Sequence, residues 1–289
     1  MIRLIGADRA LQDEYLAQLN LAFPGWGNAA HFAWCYRRSD DPLPADLMVA
    51  IIGGVPVAGL AVVYRQAQLG DCPPRTIGVL SGAWTIPAQH RQGHFGRLLA
   101  EASIVAASRG ACLLLAFVTG ERGSVGELGK VSTRIIDAAV LTAPCGPGEG
   151  DPETIPADEA ARLFAGRPVA VAAARIVYAA GGWQAQMLGR ASGASAIRMG
   201  CDRVGVVSPE PGGTLLLDLV DQRPKAITAA VRALPLRLGP ISLYSADPAT
   251  IAHLHAHGFS AHPARVFVTA LQPGPLADCD WAVAAGDRM

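Results

Sequence analysis

The first half of the chain switches repeatedly between helix-like and strand-like hydrophobic patterns. Leu11, Tyr15, Leu19 and Phe23 recur at four-residue spacing within 10–23, which places them on one face of a helix. Residues 111–118 are an unbroken apolar run, typical of a strand covered on both faces. The remaining patterns predict strands at 2–4, 47–52, 55–64, 77–86 and 133–142, and helices at 28–37, 93–109 and 124–130.

The alternation resumes after a segment rich in breaker residues, 144–156 (PCGPGEGDPETIP). Beyond it the patterns predict helices at 157–164, 169–180, 224–234 and 248–257, and strands at 183–190, 196–207, 215–220, 241–244 and 265–271. We therefore expect an α/β fold with mixed sheets in two domains, 1–145 and 157–272, joined by a linker at 146–156 and followed by a tail at 273–289.

The clearest chemical signal lies in residues 80–110, where a strand, a polar loop and an amphipathic helix follow one another. The N–H groups of such a loop and of the helix N-terminus converge, and the helix dipole adds partial positive charge. Arg91 and Arg97 add formal charge, and Gly93 allows close approach of a ligand. The pattern predicts an anion-binding loop, with an ordinary strand–turn–helix corner as the alternative.

Two common phosphate loops are excluded by the residues present. No Lys-Ser or Lys-Thr follows a glycine, as a GxxxxGK[ST] loop requires. Gly93 and Gly96 are the loop's glycines, which is too few for GxGxxG. The sequence Ile86-Pro87-Ala88-Gln89-His90-Arg91-Gln92-Gly93-His94-Phe95-Gly96 instead resembles the pyrophosphate loop of the GNAT superfamily of N-acyltransferases, Gln/Arg-x-x-Gly-x-Gly/Ala after a strand that ends near a proline.

Two registers of this resemblance are open. In the first, the family positions fall on His90, Gly93 and Phe95; in the second, Arg91 and Gly96 match but His94 replaces the first glycine. We prefer the first because its spacing from the preceding proline is normal.

The order of predicted elements is also similar to that of the GNAT superfamily, and this resemblance covers about residues 1–145. Residues 157–272 are interpreted as a second, degenerate GNAT-like domain, because the counterpart of the loop at 221–225 (DQRPK) contains no glycine. The tandem organisation is similar to that of mycothiol synthase and other two-domain acyltransferases.

The resemblance implies acetyl-CoA, or another acyl-CoA, as cosubstrate and a small-molecule amine as acceptor, and it is compatible with a homodimer. The pantetheine arm is then expected between the parted strands 77–86 and 111–118, with the amide of Ala83 polarising the thioester. Trp84 either lines the space for this arm or occupies a core position. The expected cofactor-binding residues are Trp84, Thr85, Ile86, Arg91, Gln92, Gly93, His94, Phe95, Gly96 and Arg97.

The candidate proton-transfer groups depart from the family pattern. The family often has a carboxylate on the fourth strand, where this chain has Ser81 and Ala83, and a tyrosine in the helix after the fifth strand, where 121–130 has none. Ser124 is a polar substitute for that tyrosine or a solvated helix residue. Asp137 is a base if its strand buries it, and otherwise an outward-facing residue. These four residues are the catalytic candidates.

Two other segments carry hypotheses. Trp26, His31, Phe32, Trp34 and Tyr36 form the densest aromatic stretch, which either packs in the core or lines an acceptor pocket. Trp281 gives the tail something to bury. In some two-domain relatives the chain-end carboxylate serves as the base, and we extend that hypothesis to this tail.

Composition narrows the function classes. The 24 basic and 24 acidic residues give zero net charge, which argues against a nucleic-acid or anionic-membrane partner. Six cysteines without CxxC spacing predict reduced thiols and a cytoplasmic protein, and the start of the chain resembles no signal peptide. The histidines at 253–262 lack nearby metal ligands, so no metal is expected. Richness in Ala, Gly, Pro and Arg is typical of a GC-rich bacterial genome.

These patterns lead to one principal hypothesis, an acyl-CoA-dependent N-acetyltransferase that acts by direct transfer. The alternative is a non-catalytic GNAT-like protein that binds acyl-CoA or a partner.

Overall fold

A computed structural model describes residues 1–120, 124–146, 152–167, 173–179, 181–200 and 203–288. The chain divides into two compact units. Unit 1 comprises residues 1–68, 72–135 and 266–279, and unit 2 comprises residues 69–71, 136–265 and 280–289. No helix in the described ranges is long and apolar enough to cross a membrane.

The elements are as follows. The strands are β1 (Ile2–Leu4), β2 (Asp46–Ile52), β3 (Val55–Leu69), β4 (Arg75–Thr85), β5 (Leu113–Thr119), β6 (Arg134–Ala143), β7 (Ala173–Val177), β8 (Ser195–Met199), β9 (Arg203–Glu210), β10 (Gly213–Leu219), β11 (Ile241–Ser245), β12 (Ser260–Ala270) and β13 (Asp280–Ala282). The α-helices are α1 (Arg9–Ala22), α2 (Ala29–Tyr36), α3 (His94–Ser108), α4 (Ser124–Val131), α5 (Ala157–Ala165), α6 (Gly182–Met187), α7 (Pro224–Arg232), α8 (Pro248–Ala256) and α9 (Pro275–Asp278).

The first two helices begin at side-chain caps. The Asp8 carboxylate accepts a hydrogen bond from the Leu11 N–H at the start of α1, and Asn28 accepts two backbone N–H groups at the start of α2. The apolar stripe of α1 buries Tyr15 and Leu19 completely, which confirms the face expected from the four-residue spacing.

The sheet of unit 1 has the strand order β1-β2-β3-β4-β5, with the 266–270 part of β12 beside β5. Neighbours from β1 to β4 are antiparallel, whereas β4 and β5 are parallel. The helix α3 buries Leu98, Leu99 and Ala102 in a core that includes residues of β3 and β5. This core holds the start of α3 next to the ends of two parallel strands.

The sheet of unit 2 has the order β6-β11-β10-β9-β8. Its strands β10 and β11 are parallel, and the other neighbours are antiparallel. Away from this series, β7 and β13 pair with each other in parallel. Among the described residues, unit 2 has an apolar cluster around α7 and α8 and another around α5 and α6.

Each unit completes its sheet with a strand from the other half of the sequence. Most of β6, residues 136–143, belongs to unit 2, whereas residues 266–270 of β12 belong to unit 1. The domain boundaries 1–145 and 157–272 remain predictions. The sequence patterns do not predict this exchange, in which β6 belongs mostly to unit 2 and residues 266–270 of β12 belong to unit 1. Local patterning specifies that a segment is a strand but not which strand it pairs with.

Two strand predictions in the second half are wrong. Residues 183–190, predicted as a strand, include most of the helix α6. Tertiary packing explains this, because Trp183 stacks on Phe164 with ring centroids 4.6 Å apart and Met187 is fully buried. The single strand predicted at 196–207 is the hairpin β8–β9, with Gly200 in a left-handed conformation (φ 72°) after β8.

The helix predicted at 169–180 is also wrong where the structure describes it. Residues 173–177 form β7, whose ladder partner is β13 in the C-terminal tail. The rest of that segment falls largely outside the described residues. The burial expected of Trp281 is confirmed, since its side chain is 3% exposed. Met289, the hypothesised source of a basic carboxylate, lies outside the described part.

Candidate functional site

The loop between β4 and α3 has the backbone of an open turn. A short 3₁₀ helix, Pro87–Gln89, follows β4, and Gly93 is the N-cap of α3 with φ 74°. Arg91 also has positive φ, 62°, an uncommon conformation for a residue with a side chain. A methyl group on Gly93 would meet nothing within 4 Å, so the space beside this cap is open.

The first turn of α3 presents backbone donors to this open space. His94, Phe95 and Gly96 are its first three residues, whose N–H groups have no intrahelical acceptor by helix geometry. The Arg97 N–H begins the helical ladder by donating to Gly93 O at 3.2 Å. Free N–H groups at the positive end of the helix dipole favour an anion.

Side chains of the loop support this turn from behind. The Arg97 guanidinium donates to Gln92 O at 3.1 Å and to His94 Nδ1 at 3.2 Å. His94 is buried, and burial together with the Arg97 charge lowers its pKa. The neutral ring therefore accepts at Nδ1 and donates from Nε2 to Gln89 Oε1 at 3.2 Å. A neutral His94 in this role orders the loop.

Two more contacts link the loop to its own start. His90 Nε2 lies 2.9 Å from Thr85 O, and Gln92 Nε2 donates to Ala88 O at 3.3 Å. Arg91 is exposed. The loop thus directs Arg91 outward while two neighbouring side chains fold back onto backbone carbonyls.

The parallel strands β4 and β5 part near the loop. Their register runs from Gly78↔Leu114 to Leu80↔Ala116, but β4 continues to Thr85 and β5 to Thr119. Within the described part of the chain no further pair continues this register, so β4 and β5 part beyond Leu80↔Ala116. The family resemblance implies such a parting between these two strands, and a ligand between them remains a prediction.

A β-bulge lies at the same point of β4. The register against β3 shifts between Gly59 and Ala61, and Gly82 has φ 57°. Tyr15 Oη donates to Gly82 O at 2.8 Å, and Tyr36 Oη lies 3.5 Å from Ser81 Oγ. A Cβ on Gly82 would collide with the Tyr36 hydroxyl, so glycine is required for both space and conformation.

Burial determines the state of these two tyrosines. Tyr15 and Tyr36 are almost completely buried, and desolvation raises the pKa of both phenols well above the ordinary value. They are therefore neutral hydrogen-bonding groups that hold the bulge. The sequence pattern predicts Tyr15 on the packed face of α1 and leaves Tyr36 in either the core or an acceptor pocket, and it does not indicate this contact. The available signal was a glycine inside a strand pattern, which often marks a bulge.

The strand residues next to the bulge divide between the two faces of the sheet. Trp84 is 4% exposed and packs edge-on against Tyr15, with ring centroids 5.7 Å apart. Its indole N–H has no hydrogen-bond partner among the described residues. Ala83 and Ile86 pack instead on the core that contains α3, and Thr85 is half-buried. The position of Trp84 favours packing under α1 over a wall of the arm.

Unit 1 contains three of the four catalytic candidates. Ser81 and Ala83 flank the bulge, and Ser124 begins α4, one turn before Glu127. Glu127 reaches the first turn of α3, because a methyl group on Gly96 would lie 2.9 Å from its carboxylate. Lys130 neutralises part of this charge through an ion pair of 2.6 Å.

Asp137, the fourth candidate, lacks the burial on which its proposed role depended. Its side chain is 99% exposed, it belongs to unit 2, and its neighbour is Arg265 at 4.0 Å. The reason is that its position on β6 faces outward. The outward-facing alternative agrees with this geometry.

The aromatic stretch of α2 is mostly core. Phe32, Trp34 and Tyr36 are buried, whereas Trp26 and His31 are half-buried and contact each other with centroids 4.7 Å apart. Trp26 also stacks nearly parallel on Tyr36 at 6.1 Å. No cluster of His, Cys, Asp and Glu in the described ranges could hold a metal ion.

The counterpart of the loop in unit 2 has a different construction. Arg223 is the N-cap of α7 and Pro224 occupies the first turn, so one N–H donor is missing. Asp221 accepts from the backbone and the guanidinium of Arg223, which places a carboxylate where unit 1 has open donors.

Solved structures provide the comparison for this arrangement. A tandem GNAT protein from the clavulanic acid biosynthesis pathway aligns with a TM-score of 0.60 and 14% identity, covering 95% of this chain and all of that one. The chain has the fold of the tandem GNAT proteins. A probable N-acyltransferase from Enterococcus faecalis V583 aligns with a TM-score of 0.64 and 9% identity, over 94% of this chain and 72% of that chain.

A third structure agrees with this assignment of the tandem GNAT fold. A putative acetyltransferase from Pyrococcus horikoshii aligns with a TM-score of 0.60 and 12% identity, over 100% of this chain and 95% of the other. No protein-family model matches the sequence, and no curated protein matches it. At these identities the likeness establishes the fold.

Proposed function

We propose that the chain is an acyl-CoA-dependent N-acyltransferase that uses acetyl-CoA and transfers the acyl group directly to a small-molecule amine. The observation that carries the proposal is the open turn at Gly93, with free N–H donors, set beside the parted strands β4 and β5. An anion-binding helix end next to an open strand edge suits a ligand with a pyrophosphate and an amide-containing arm.

In this proposal each part of acyl-CoA meets a specific part of unit 1. The pyrophosphate accepts the N–H groups of His94, Phe95 and Gly96, with Arg91 adding charge from its exposed position. The pantetheine amides bond the backbone of β4 beyond Leu80, where the pairing with β5 ends. The bulge turns the Ala83 amide toward the thioester carbonyl, where it stabilises the developing negative charge.

The proton of the attacking amine needs a route to solvent. Tyr36 is unsuited as a base because burial raises the pKa of its phenol, which keeps it protonated. The Tyr36 hydroxyl and the Ser81 hydroxyl are 3.5 Å apart. Ser81 is only half-buried, so solvent can reach this residue of the pair. We infer that Ser81 positions a water that takes the proton, while the thiolate leaves without a protein acid.

The test is release of free thiol from acetyl-CoA in the presence of a panel of small amines. Turnover with at least one amine, above the rate without amine, is the expected result. The variant Ser81→Ala tests the proton route. It should lower turnover while acetyl-CoA binding measured by calorimetry stays unchanged. Tight binding of acetyl-CoA with no amine-dependent thiol release would contradict the catalytic part of the proposal.

One observation favours the alternative of a non-catalytic acyl-CoA-binding protein. The Glu127 carboxylate lies against Gly96, close to the donors assigned to the pyrophosphate. Like charge there weakens pyrophosphate binding. If Glu127→Gln strengthens acetyl-CoA binding and no amine supports turnover in either protein, the alternative is the better description.

A further inference from the structure

Unit 2 contains a strand opening built like the one in unit 1. The parallel register of β10 and β11 ends at Leu215↔Ser242, although β10 continues to Leu219. The antiparallel register of β10 against β9 shifts between Leu216 and Asp218, just beyond this last pair. Both units therefore have a bulged strand that parts from its parallel neighbour.

The C-terminal segment, residues 280–288, fills this opening. It starts as β13, paired with β7, and buries Trp281. A Cβ on Gly286 would collide with the sulfur of Met187 on α6 and lie 3.1 Å from Leu217 O on the bulge. The Arg288 guanidinium then lies 5.0 Å from the centre of the Tyr244 ring on β11. The segment thus passes between α6 and β10 and reaches β11.

Polar side chains of unit 2 bind the backbone of the segment directly. Gln186, which is fully buried, donates to Gly286 O at 2.6 Å. Arg190 donates to Gly286 O at 3.1 Å and to Arg288 O at 3.0 Å. Hydrogen bonds to main-chain groups are one way in which a protein holds a bound peptide, and here they are made to a short 3₁₀ helix, Ala285–Asp287.

Asp287 adds a side-chain contact. The Tyr178 hydroxyl donates to one Asp287 oxygen at 2.6 Å, and the Ala284 N–H donates to the other at 2.9 Å. The side chain is buried beside the ion pair of Arg167 with Asp218 (2.5 Å). Glycine at one position and a side chain that accepts hydrogen bonds at the next are therefore what the opening accommodates.

We propose that unit 2 is a peptide-binding module whose ligand is this chain's own C-terminal segment, recognised through Gly286 and Asp287. The module replaces a cosubstrate site. Its opening holds a peptide whose Gly286-Asp287 step lies in a short 3₁₀ helix, Ala285–Asp287, instead of the pantetheine arm of acyl-CoA. This inference concerns unit 2 alone and stands whether or not unit 1 is an acyltransferase.

The experiment separates the segment from the rest of the folded full-length protein. A protease site is inserted in the exposed stretch 272–274, and the purified protein is cleaved there after folding. The peptide 275–289 should stay bound through gel filtration, and a labelled synthetic peptide of the same sequence should exchange into the complex and give a dissociation constant. Residues 275–279 of this peptide belong to unit 1, so the part of the affinity that unit 2 supplies is measured by substitution within 280–288.

Substitutions within the peptide test the recognition. Gly286→Val should weaken binding of the labelled peptide at least about tenfold, since the added side chain has no space. Asp278→Ala changes an exposed residue of the same peptide and should leave the affinity unchanged. Loss of the wild-type peptide from a cleaved protein that stays folded, or equal affinity of the Val peptide, would overturn the proposal.

A second measurement uses the uncut protein, in case cleavage destabilises unit 2. Amide hydrogen exchange should show loss of protection in 280–288 and in β7 for full-length Gly286→Val, while β1 to β5 keep theirs. Unchanged protection of 280–288 in this variant would also overturn the proposal.

Discussion

The strand openings of the two units have the same construction but different surroundings. In each, a bulged strand parts from its parallel neighbour and a helix follows. In unit 1 the helix begins at Gly93 with open donors, whereas in unit 2 it begins at Arg223-Pro224 and the C-terminal segment lies in the opening. The shared fold therefore does not determine what occupies each strand opening. The residues at the start of the helix and in the C-terminal segment make the difference between the two openings.

The largest expected effect tests the donor loop of unit 1. Gly93→Asp introduces a side chain where φ is 74° and a negative charge beside the N–H groups. Loss of one or two charge-assisted hydrogen bonds, about 1.5–3 kcal/mol each, should weaken acetyl-CoA binding at least tenfold by calorimetry. Gly110→Asp is the matched control, because Gly110 also has positive φ (82°) and open space but follows the other end of α3. Undiminished affinity of Gly93→Asp would show that the loop is not the pyrophosphate site.

The next effect is the pH dependence of stability, which tests whether the C-terminal segment fills the opening of unit 2. Burial raises the pKa of Asp287 to about 6 from an ordinary value of 3.8. The pKa of Asp287 is higher in the folded state than in the unfolded state. Its contribution to the free energy of unfolding is therefore fully present below pH 3.8 and is lost as pH rises toward 6. The loss is on the order of 3 kcal/mol. Denaturation midpoints of wild type and Asp287→Asn should converge at low pH and separate across this window, with the Asn variant relatively more stable above it.

Parallel curves for these two proteins would mean that Asp287 is not desolvated in solution. Tyr178 and the Ala284 N–H contact the carboxyl directly, and the Arg167–Asp218 pair acts from nearby. Tyr178→Phe is therefore a useful companion, because it removes one hydrogen bond without altering the charge.

A smaller effect tests the bulge of unit 1. Tyr15→Phe removes the donor to Gly82 O, and an unsatisfied buried carbonyl costs about 1–3 kcal/mol. We expect kcat to fall about tenfold with the acetyl-CoA KM unchanged, because the bulge orients the Ala83 amide and not the pyrophosphate loop. Tyr36→Phe, which loses a longer contact of 3.5 Å, should have a weaker effect. A rise in KM with unchanged kcat would place Tyr15 in cofactor binding instead.

The smallest expected effect concerns Asp137. Its side chain is 99% exposed, so Asp137→Asn should leave the pH profile and rate of thiol release as in wild type. A lower rate in this variant would restore Asp137 as a candidate base.

Much of unit 1 could be predicted from sequence because its elements have strong local signals. The stripe of α1, the cap at Asn28 and the apolar run before Thr119 each specify one element without long-range information. The α6 segment carries no such signal, since Trp183 and Met187 fit an alternating pattern as well as a helical one. Packing on Phe164 decides it, and that contact lies outside any local window.

The candidate site shows the same limit. The loop glycine and its arginines are visible as a motif, and Gly93 is the N-cap of α3 with a left-handed conformation. The hydrogen bond from Tyr15 to Gly82 joins residues 67 positions apart, so periodicity shows only that Tyr15 is buried. The contacts of Gly286 and Asp287 with α6 and Tyr178 join residues that are still farther apart in sequence, by 100 and 109 positions.

The exchange of β6 and β12 has a consequence for synthesis on the ribosome. Unit 1 extends to residue 135 and resumes at residue 266. Its sheet therefore cannot be completed until a strand about 130 residues farther along the chain has been synthesised. At typical elongation rates that interval is on the order of ten seconds. During it, the nascent chain has an open edge at β5 that must avoid other strands. Slow codons or chaperones acting between these two points would therefore influence the yield of folded protein more than they would in a chain of two consecutive domains.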